Sequence, residues 1–451
     1  MAELSIIVTT YNIEDYIEQC LASVAAQTLT DIEVIVVDDG SSDSTPELIR
    51  RFCEGDARFV PVLLGENSPG GVATPANVGL DRASAPWVGF VDGDDHIEPT
   101  MFERLHAAAR THDADLAMCD YQEEVDGTGE RRDPADAHRW APLTDPCYEL
   151  DVPTSHTFLR FIAVPWRKLY RRELLESRSI RFPVGDGFFE DNPFHWFAIV
   201  SARSIALVPE VLCYHRVARS GQTMATADER LFHIFSHHDT IHDWLAAQGL
   251  LDLYTVPLLG WVISQMEWIS RRTPPERHRQ LFDVLTPILT RYPLETIRRA
   301  LAENNKGAST QRLTTAVAKG EFATFVRTLT TRPGTDNPFV TAAFHLRHSG
   351  VRHTAVLTGR YLRNTVQDSR LPGYLTRARS KAPDSSGRDV LFGLTVIERR
   401  LQRMEARLTE IEGRLDAGSG VPDARASLGV DEEGRDRLGA VDRLEDPVGR
   451  G

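Results

Sequence analysis

Three carboxylates follow one short apolar run in this sequence. Asp92, Asp94 and Asp95 come directly after residues 87–91, which have the composition of a buried β-strand. Carboxylates this close repel one another, and a hard divalent cation such as Mg²⁺ or Mn²⁺ would allow them to stay ionised. The other interpretation is a polar turn that leads to a helix near Pro99. The cluster alone leaves both interpretations open.

The segments around this cluster alternate between strand and helix patterns. Buried strands are predicted by apolar, β-branched runs at residues 4–12, 32–37, 59–64 and 87–91. Helical spacing follows the first run at residues 13–24, and Pro46 suits the first turn of a second helix. This alternation predicts an α/β fold, a mostly parallel sheet with helices on both faces. Ligands bind at the carboxyl ends of such strands, where Asp39 and Asp92 are expected.

Two sets of motifs connect these elements to a known family. The first set is SIIVTTYN at residues 5–12, VDDGSSD at 37–43, NVGL at 77–80 and FVDGDD at 90–95. The second is PWRKLYRRELL at 165–175, IRFP at 180–183, FED at 189–191 and YHRVARS at 214–220. In this order, over residues 1–225, they resemble family 2 glycosyltransferases with the Rossmann-like GT-A fold. The second set is similar to bacterial enzymes that decorate cell-envelope polymers such as teichoic acids.

The resemblance implies an inverting, metal-dependent transfer of a sugar from a UDP-sugar to a hydroxyl of a cell-envelope polysaccharide or polymer. It places Asp94 as the metal ligand, with Asp92 assisting through the metal or the ribose, and Asp191 as the general base. A cation there would neutralise the charge that develops on the leaving diphosphate. For Asp191, the neighbouring Glu190 and the flanking aromatic residues would raise the pKa. A helix cap before Pro193 is the alternative role of Asp191.

The nucleotide half of the predicted site rests on the same resemblance. Asp39 would accept the N3 proton of uracil, Tyr11 would stack on the base and Thr9 would line the pocket. A capping or turn carboxylate is the alternative for Asp39. The other residues predicted to contact the nucleotide sugar are Asn77, Asp92, Asp95, Glu190, Arg216 and Ser220.

A predicted strand at residues 205–214 leads into a basic segment. Arg216, Arg219 and Ser220 resemble a loop that closes over the diphosphate when the donor binds, which suits a doubly negative leaving group. Surface arginines without such a role are the alternative. For His215, a metal ligand and a structural histidine are both open.

Composition restricts the classes of function. A net charge of −14 disfavours nucleic acid as a partner. The five cysteines lack Cys-x-x-Cys spacing, so no disulfide framework or zinc knuckle is predicted. The N-terminus lacks a signal-peptide pattern, and the apolar run at residues 253–269 is too interrupted to span a bilayer. These features predict a cytoplasmic enzyme, with contact at the inner face of the membrane as an option.

The second half of the chain predicts accessory elements. Residues 226–385 have helical spacings and are expected to form a mainly helical domain. Within them, residues 347–381 contain eight basic residues and one acidic residue. This stretch suits peripheral contact with anionic lipid or a phosphate-rich acceptor, and a solvated helix face is the alternative.

A heptad pattern occupies residues 389–416. Its apolar positions are Val390, Leu394, Ile397, Leu401, Met404, Leu408, Ile411 and Leu415. Glutamates at e and arginines at g favour a parallel homo-oligomer, dimer or trimer, held by a coiled coil over residues 390–415. A helix folded back on its own domain is the alternative. Residues 417–451 lack apolar periodicity and are predicted to be disordered.

Two other functions fit parts of the pattern. A sugar nucleotidyltransferase would also combine such a sheet with metal-binding carboxylates, but it would need a basic, glycine-rich loop near the first strand. A catalytically inactive GT-A scaffold or assembly protein would keep the fold and the coiled coil. The presence of Asp92, Asp94 and Asp191 argues against a scaffold.

Overall fold

The apolar runs form the central strands of one mixed sheet. The computed structural model describes residues 2–69, 71–185, 188–219 and 229–330. Its strands are β1 (Leu4–Thr10), β2 (Ile32–Asp38), β3 (Phe59–Leu63), β4 (Trp87–Asp92), β5 (His96–Ile97), β6 (Leu116–Val125), β7 (Glu130–Arg132), β8 (Cys147–Glu149), β9 (Lys168–Arg171) and β10 (Ser204–Val217). Every strand run predicted before residue 100 is present.

The direction of the strands changes across the sheet. The order is β3-β2-β1-β4-β9-β6-β10-β5, with β7 beside β6 and β8 beside β10. Strands β1 to β4 are parallel, but β9 runs antiparallel to both β4 and β6. The sheet is therefore mixed. Its long pairings are parallel, including β6 with β10, as the prediction of a mostly parallel sheet requires, and the antiparallel pairings are short. Strand β9 lies between β4 and β6, and both of these strands run opposite to it.

The helices pack around this sheet and continue beyond it. They are α1 (Ile17–Ala25), α2 (Thr45–Gly55), α3 (Ala73–Arg82), α4 (Met101–Thr111), α5 (Val152–Phe158), α6 (Arg172–Ser177), α7 (Asp191–Ser201), α8 (Ser236–Ala247), α9 (Leu251–Ser270), α10 (His278–Leu289), α11 (Leu294–Glu303), α12 (Ala308–Ala318) and α13 (Phe322–Thr330). From α8 onwards the described chain is helical, as predicted. Within the described ranges, no helix has both the length and the apolar composition to cross a bilayer.

Helices cover both faces of the sheet, as the alternation predicted. Gly89 and Phe90 are neighbours in β4, so they point to opposite faces. A Cβ on Gly89 would lie 2.4 Å from Phe102 of α4. Phe90 instead packs edge-on against Phe194 of α7, with 5.7 Å between ring centres. Helix α4 therefore lies on one face and α7 on the other.

Two hydrophobic cores hold the described residues together. The first lies between the sheet and its helices, and it includes Ile241 and Leu245 of α8 and Leu258 of α9. The second is formed by α9 to α13 and the 3₁₀ turn at residues 229–235. Because α9 contributes to both cores, the helical region is packed directly against the sheet.

Several sequence predictions fall on residues outside the described ranges. The boundary predicted at residue 225 lies within residues 220–228. The end of the helical domain at 385, the basic stretch at 347–381, the coiled coil at 389–416 and the tail at 417–451 all lie beyond residue 330. They stay predictions.

A buried ion pair anchors the connection that leads to β9. The guanidinium of Arg167 donates to Asp136 Oδ2 at 2.7 Å, and the two side chains are 0% and 4% exposed. Asp136 Oδ2 also accepts from the Ile162 amide at 2.8 Å. Although burial opposes it, the charge and hydrogen bond of Arg167 lower the pKa of Asp136. Asp136 is therefore an ionised group whose removal leaves a buried cation.

We expect Asp136→Asn to lower the free energy of unfolding by about 3–5 kcal/mol, because it leaves the buried Arg167 uncompensated. Urea denaturation at neutral pH measures the loss. The matched control is Glu210→Gln in the exposed pair with Arg104, which should cost less than about 1 kcal/mol. Equal and small losses for both variants would contradict a structural role for the buried pair.

Candidate active site

Three neighbouring strands end together at one edge of the sheet. Thr10 pairs with Asp38 at the end of β2, and Thr9 pairs with Asp92 at the end of β4. Gly93 follows at once, and its amide donates to the Thr9 carbonyl at 2.9 Å. A Cβ on Gly93 would lie 2.5 Å from Ile13 and 2.8 Å from Thr10 Cγ2, so the tight turn requires glycine. The strand ends thus bring the predicted Thr9 and Asp92 together.

The carboxylate cluster after β4 is largely shielded from solvent. Thr9 Oγ1 donates to Asp92 Oδ1 at 3.3 Å. Asp95 is buried, and it accepts hydrogen bonds from the Arg216 amide at 2.7 Å and from His215 Nδ1 at 3.1 Å. Burial and the charges of Asp95 and Asp94 raise the pKa of Asp92 well above its ordinary value. The cluster therefore concentrates negative charge that favours a nearby cation.

His215 is a basic residue in contact with this negative charge. Burial alone would lower its pKa, but the charge and hydrogen bond of Asp95, with the charges of Asp94 and Asp92, raise it to about 9. The ring also stacks on Trp166, with 5.3 Å between centres. The hydrogen bond with Asp95 and the stacking on Trp166 hold the ring beside the carboxylates. The two roles left open by the sequence, metal ligand and structural histidine, stay open.

Arg216 is buried rather than a surface arginine. Its Nε donates to the Asp94 carbonyl at 2.9 Å, and its Nη atoms donate to Gln19 Oε1 at 2.8 Å and to Asp126 Oδ1 at 3.3 Å. The guanidinium also lies 4.8 Å from the ring centre of Tyr16. Arg216 therefore connects the end of β10 to the carboxylate turn and to α1.

Arg219 makes the most direct cationic contact with the cluster. Its Nε donates to Asp94 Oδ2 as an ion pair, with the two side chains 15% and 14% exposed. The guanidinium thus lies against the carboxylate predicted to hold the metal. Ser220, the next residue of the predicted loop, lies outside the described residues.

The cluster fits a cation that is shared with a phosphate ligand. In the described part of the chain, no three His, Cys, Asp or Glu side chains are arranged to hold a metal ion by themselves. Asp94 and Asp92 nevertheless offer the hard oxygen donors that Mg²⁺ and Mn²⁺ prefer, and Mg²⁺ commonly takes one or two carboxylates plus substrate phosphates. A cation here would compete with Arg219 for Asp94.

Asp39 lies at the same edge, after β2. It is 2% exposed and accepts hydrogen bonds from Ser68 Oγ at 2.9 Å, the Ser68 amide at 3.2 Å and Asn67 Nδ2 at 3.1 Å. Burial raises its pKa although the Ser68 bonds oppose this. Tyr11, at the end of β1, is 46% exposed, so its ring face is accessible to a ligand. Their predicted roles toward a uracil base stay predictions.

Sequence reasoning did not identify Asn67 and Ser68 as partners of Asp39. The loop that contains Asn67 and Ser68 packs against Gly40. Gly40 has φ +72°, and a Cβ added at this position would lie 2.3 Å from the Glu66 carbonyl carbon. Asparagine and serine in sequence predict a turn, but they do not predict which distant residue the turn contacts.

Asp191 is the first residue of α7, and it is half-buried. Burial and the charge of Glu190 raise its pKa to about 7, while the charge of Lys168 opposes the rise. The charge of Asp191 in turn raises the pKa of Asp92, so the two carboxylates lie within electrostatic reach. A carboxylate with a pKa near neutrality is suited to accept a proton.

Two other predicted residues make contacts within the protein. Glu190 is buried, and its Oε1 accepts from the Ala73 amide, the first of α3, at 3.2 Å. Asn77 in α3 exchanges two hydrogen bonds with the backbone of Phe182, at 2.8 and 2.9 Å. These contacts fasten α3 to the segment that precedes α7. A role for either residue in binding the nucleotide sugar stays a prediction.

Part of the sequence is similar to a known protein family. Residues 5–178 match the family described as Glycosyl transferase family 2. This segment has the sequence of a family 2 glycosyltransferase. The uncharacterized glycosyltransferase EpsJ of Bacillus subtilis is 35% identical over 215 residues, which cover 47% of this chain and 60% of EpsJ.

A second relative is named for the acceptor poly(ribitol-phosphate). The poly(ribitol-phosphate) beta-N-acetylglucosaminyltransferase TarS of Staphylococcus aureus is 31% identical over 229 residues, which cover 50% of this chain and 38% of TarS. The chain therefore spans less than two thirds of the length of these relatives.

The fold is also that of a solved relative. A crystal structure of S. aureus TarS 1-349 in complex with UDP-GlcNAc superposes with a TM-score of 0.61 at 24% identity. The match covers 73% of this chain and 91% of that one. The GT-A-like α/β fold, followed by a helical region, is thus confirmed for the described residues.

Proposed function

We propose that this chain transfers a sugar from a UDP-sugar to a hydroxyl of a cell-envelope polymer, with inversion at the anomeric carbon. The observation that carries the proposal is the electrostatic link between Asp191 and the carboxylate cluster after β4. The charge of Asp191 raises the pKa of Asp92, which the charges of Asp94 and Asp95 also raise, and burial together with Glu190 raises the pKa of Asp191 to about 7. A base and a diphosphate site are the two parts that single displacement requires.

The relatives favour a donor and an acceptor class. TarS is named as an N-acetylglucosaminyltransferase that acts on poly(ribitol-phosphate), and its structure contains UDP-GlcNAc. We therefore propose a UDP-hexose or UDP-N-acetylhexosamine donor and a hydroxyl-bearing envelope polymer as acceptor. Asp39 would accept the uracil N3 proton, and Tyr11 would stack on the base.

The reaction is a single displacement. Asp191 takes the proton of the acceptor hydroxyl, the hydroxyl oxygen bonds to the anomeric carbon, and the bond from that carbon to the diphosphate oxygen breaks. UDP leaves with the electron pair of that bond. A divalent cation held by Asp94 and Asp92 would neutralise charge on the leaving diphosphate. Arg219 would be released from Asp94 to contact the phosphates.

We expect the rate of transfer to rise with pH through about 7. Only the carboxylate form of Asp191 accepts a proton, and burial together with Glu190 raises its pKa to about 7. Below that pH the rate should fall about tenfold per pH unit, since the ionised fraction falls by that factor. The measurement is kcat between about pH 5.5 and 8.5, with UDP binding followed at each pH as the control. A flat kcat profile would exclude Asp191 as the base.

The experiment that tests the function needs no acceptor. UDP release is measured over a panel of UDP-sugars with and without Mn²⁺, because slow transfer to water reports the donor. Mn²⁺-dependent release from one sugar supports the proposal. Failure of every donor to release UDP, together with failure of UDP to bind in the presence of Mn²⁺, would contradict it and favour the inactive scaffold.

A further inference from the structure

The segment that carries Asp191 has a strained backbone. Phe189 has a φ of +66°, a left-handed conformation that costs a non-glycine residue about 1 kcal/mol or more. Its carbonyl accepts two hydrogen bonds from Asn192, one from the backbone amide and one from Nδ2, both at 3.0 Å. Such a conformation persists only where the surroundings fix it.

The helical region supplies many of those surroundings. His237 of α8, which is buried, contacts the Phe188 carbonyl through Nε2 at 2.7 Å. Trp268 of α9 packs edge-on against Phe189, with 6.3 Å between ring centres. The Arg230 guanidinium lies 5.7 Å from the ring centre of Phe188. Residues far along the chain therefore hold the turn that begins α7.

A further contact from α9 reaches the carboxylate of Asp191. Trp261 of α9 donates its indole Nε1–H to Asn192 Oδ1 at 3.2 Å, and Asn192 Nδ2 donates to Asp191 Oδ1 at 3.1 Å. An indole N–H can only donate, so it must meet the amide oxygen. That choice leaves Nδ2 for Asp191 and Phe189. Trp261 thereby fixes which end of the Asn192 amide faces the carboxylate.

We infer that the helical region takes part in the reaction by positioning the general base, through a hydrogen-bond relay from Trp261 to Asn192 to Asp191. The inference rests on the proposed role of Asp191. Trp261 and Asn192 are positioning residues, because they act through Asp191 and not on the substrate. The relay also holds a donor against the carboxylate, which favours its ionised form.

Other charged groups act on the same carboxylate and are unchanged by altering the relay. Glu190 precedes it on the chain, Lys168 approaches from β9 and Asp92 from β4. The buried hydroxyl of Tyr170 on β9 also interacts with it. Lys168 is itself buried, and its Nζ donates to the Val164 carbonyl at 2.5 Å. A change in the pKa of Asp191 after the relay is altered should therefore come from the relay, because these other groups stay the same.

The test is Trp261→Phe, which keeps an aromatic ring and removes the indole N–H. We expect kcat to fall about tenfold with the donor KM unchanged, because the base loses its orientation but the nucleotide site does not. The rise of kcat with pH, which is the acid limb of the profile, should shift to higher pH by about half a unit, since the ionised carboxylate of Asp191 loses a fixed hydrogen-bond donor. The matched control is Trp244→Phe, whose ring packs on Phe197 of α7 with 4.6 Å between centres.

A second variant covers the case in which Trp261→Phe does not fold. Asn192→Asp keeps the shape and an acceptor for Trp261 but places a carboxylate beside Asp191. It should move the acid limb upward by more than Trp261→Phe does. The relay is overturned if Trp261→Phe folds and retains the kcat and pH profile of the Trp244→Phe control. It is also overturned if Trp261→Phe does not fold and Asn192→Asp retains them.

Loss of the proposed function can be told apart from loss of the relay. If the unaltered chain releases no UDP from any donor, the proposed function fails and kinetics no longer reports on Asp191. The carboxyl pKa of Asp191 is then measured by ¹³C NMR titration in the unaltered chain and in Trp261→Phe. A higher pKa in Trp261→Phe supports the relay, and an unchanged pKa overturns it.

Discussion

Asp191→Asn is expected to reduce sugar transfer about a thousandfold while UDP still binds. The amide has nearly the shape of the carboxylate, but it cannot accept the proton of the acceptor hydroxyl, and a general base contributes about 10²–10⁴ in rate. The nucleotide is predicted to bind at the strand ends around Asp39, so its affinity should change little. The measurement is kcat for UDP release beside the UDP dissociation constant.

The control for this variant is Asp243→Asn on α8, where the carboxylate is 80% exposed and pairs with His242. It makes the same chemical change away from the sheet edge and should leave transfer unaltered. Residual activity of Asp191→Asn within tenfold of the unaltered chain would contradict the assignment of the base. Such a result would leave capping of α7 as the role of Asp191.

Asp94→Asn is expected to lower transfer about a hundredfold and to remove its response to Mn²⁺. An amide oxygen is a weaker ligand than a carboxylate, so a cation shared with the diphosphate would lose its main protein contact. Neutralisation of the leaving group is worth several kcal/mol in such reactions. The measurement is UDP release as a function of Mn²⁺ concentration, with Asp243→Asn again as the control.

The same variant separates two roles of Asp94. If the carboxylate serves only as the partner of Arg219, its loss should free the arginine and leave the metal response of UDP release unchanged. If it holds the cation, the Mn²⁺ concentration needed for half-maximal release should rise at least about tenfold. An unaltered Mn²⁺ response would therefore contradict the metal assignment.

Strand ends could be predicted from the sequence because they depend on local patterns. The apolar runs before Asp39 and Asp92 have the period and composition of buried strands, and parallel strands place their carboxyl ends at one edge. The register confirms this, since Thr9 pairs with Asp92 and Thr10 with Asp38. The fold and the convergence of these residues therefore followed from short segments of chain.

Contacts between distant segments could not be predicted in this way. The four-residue strand β9 carries no local signal for its direction, so its antiparallel position between β4 and β6 was missed. Trp261 lies 69 positions after Asn192, in a helix whose spacing indicates only core packing. Its role depends on how the second core packs against the first, and no residue pattern specifies that packing.

The arginines near the end of β10 show the same limit. The sequence left Arg216 and Arg219 between a diphosphate-binding loop and ordinary surface residues. Arg216 proves to be buried in a network with Gln19 and Asp126, and Arg219 lies on Asp94. Both are therefore built into the edge of the sheet where the carboxylates converge, which a basic motif alone does not establish.

The central claim is that Asp191 activates the acceptor for direct attack opposite the diphosphate. The most direct measurement is the anomeric configuration of the sugar first released from an α-linked UDP-sugar, followed by ¹H NMR before mutarotation. Direct attack predicts the β-anomer, because one displacement inverts the anomeric carbon. Release of the α-anomer would require a different mechanism and would contradict the claim.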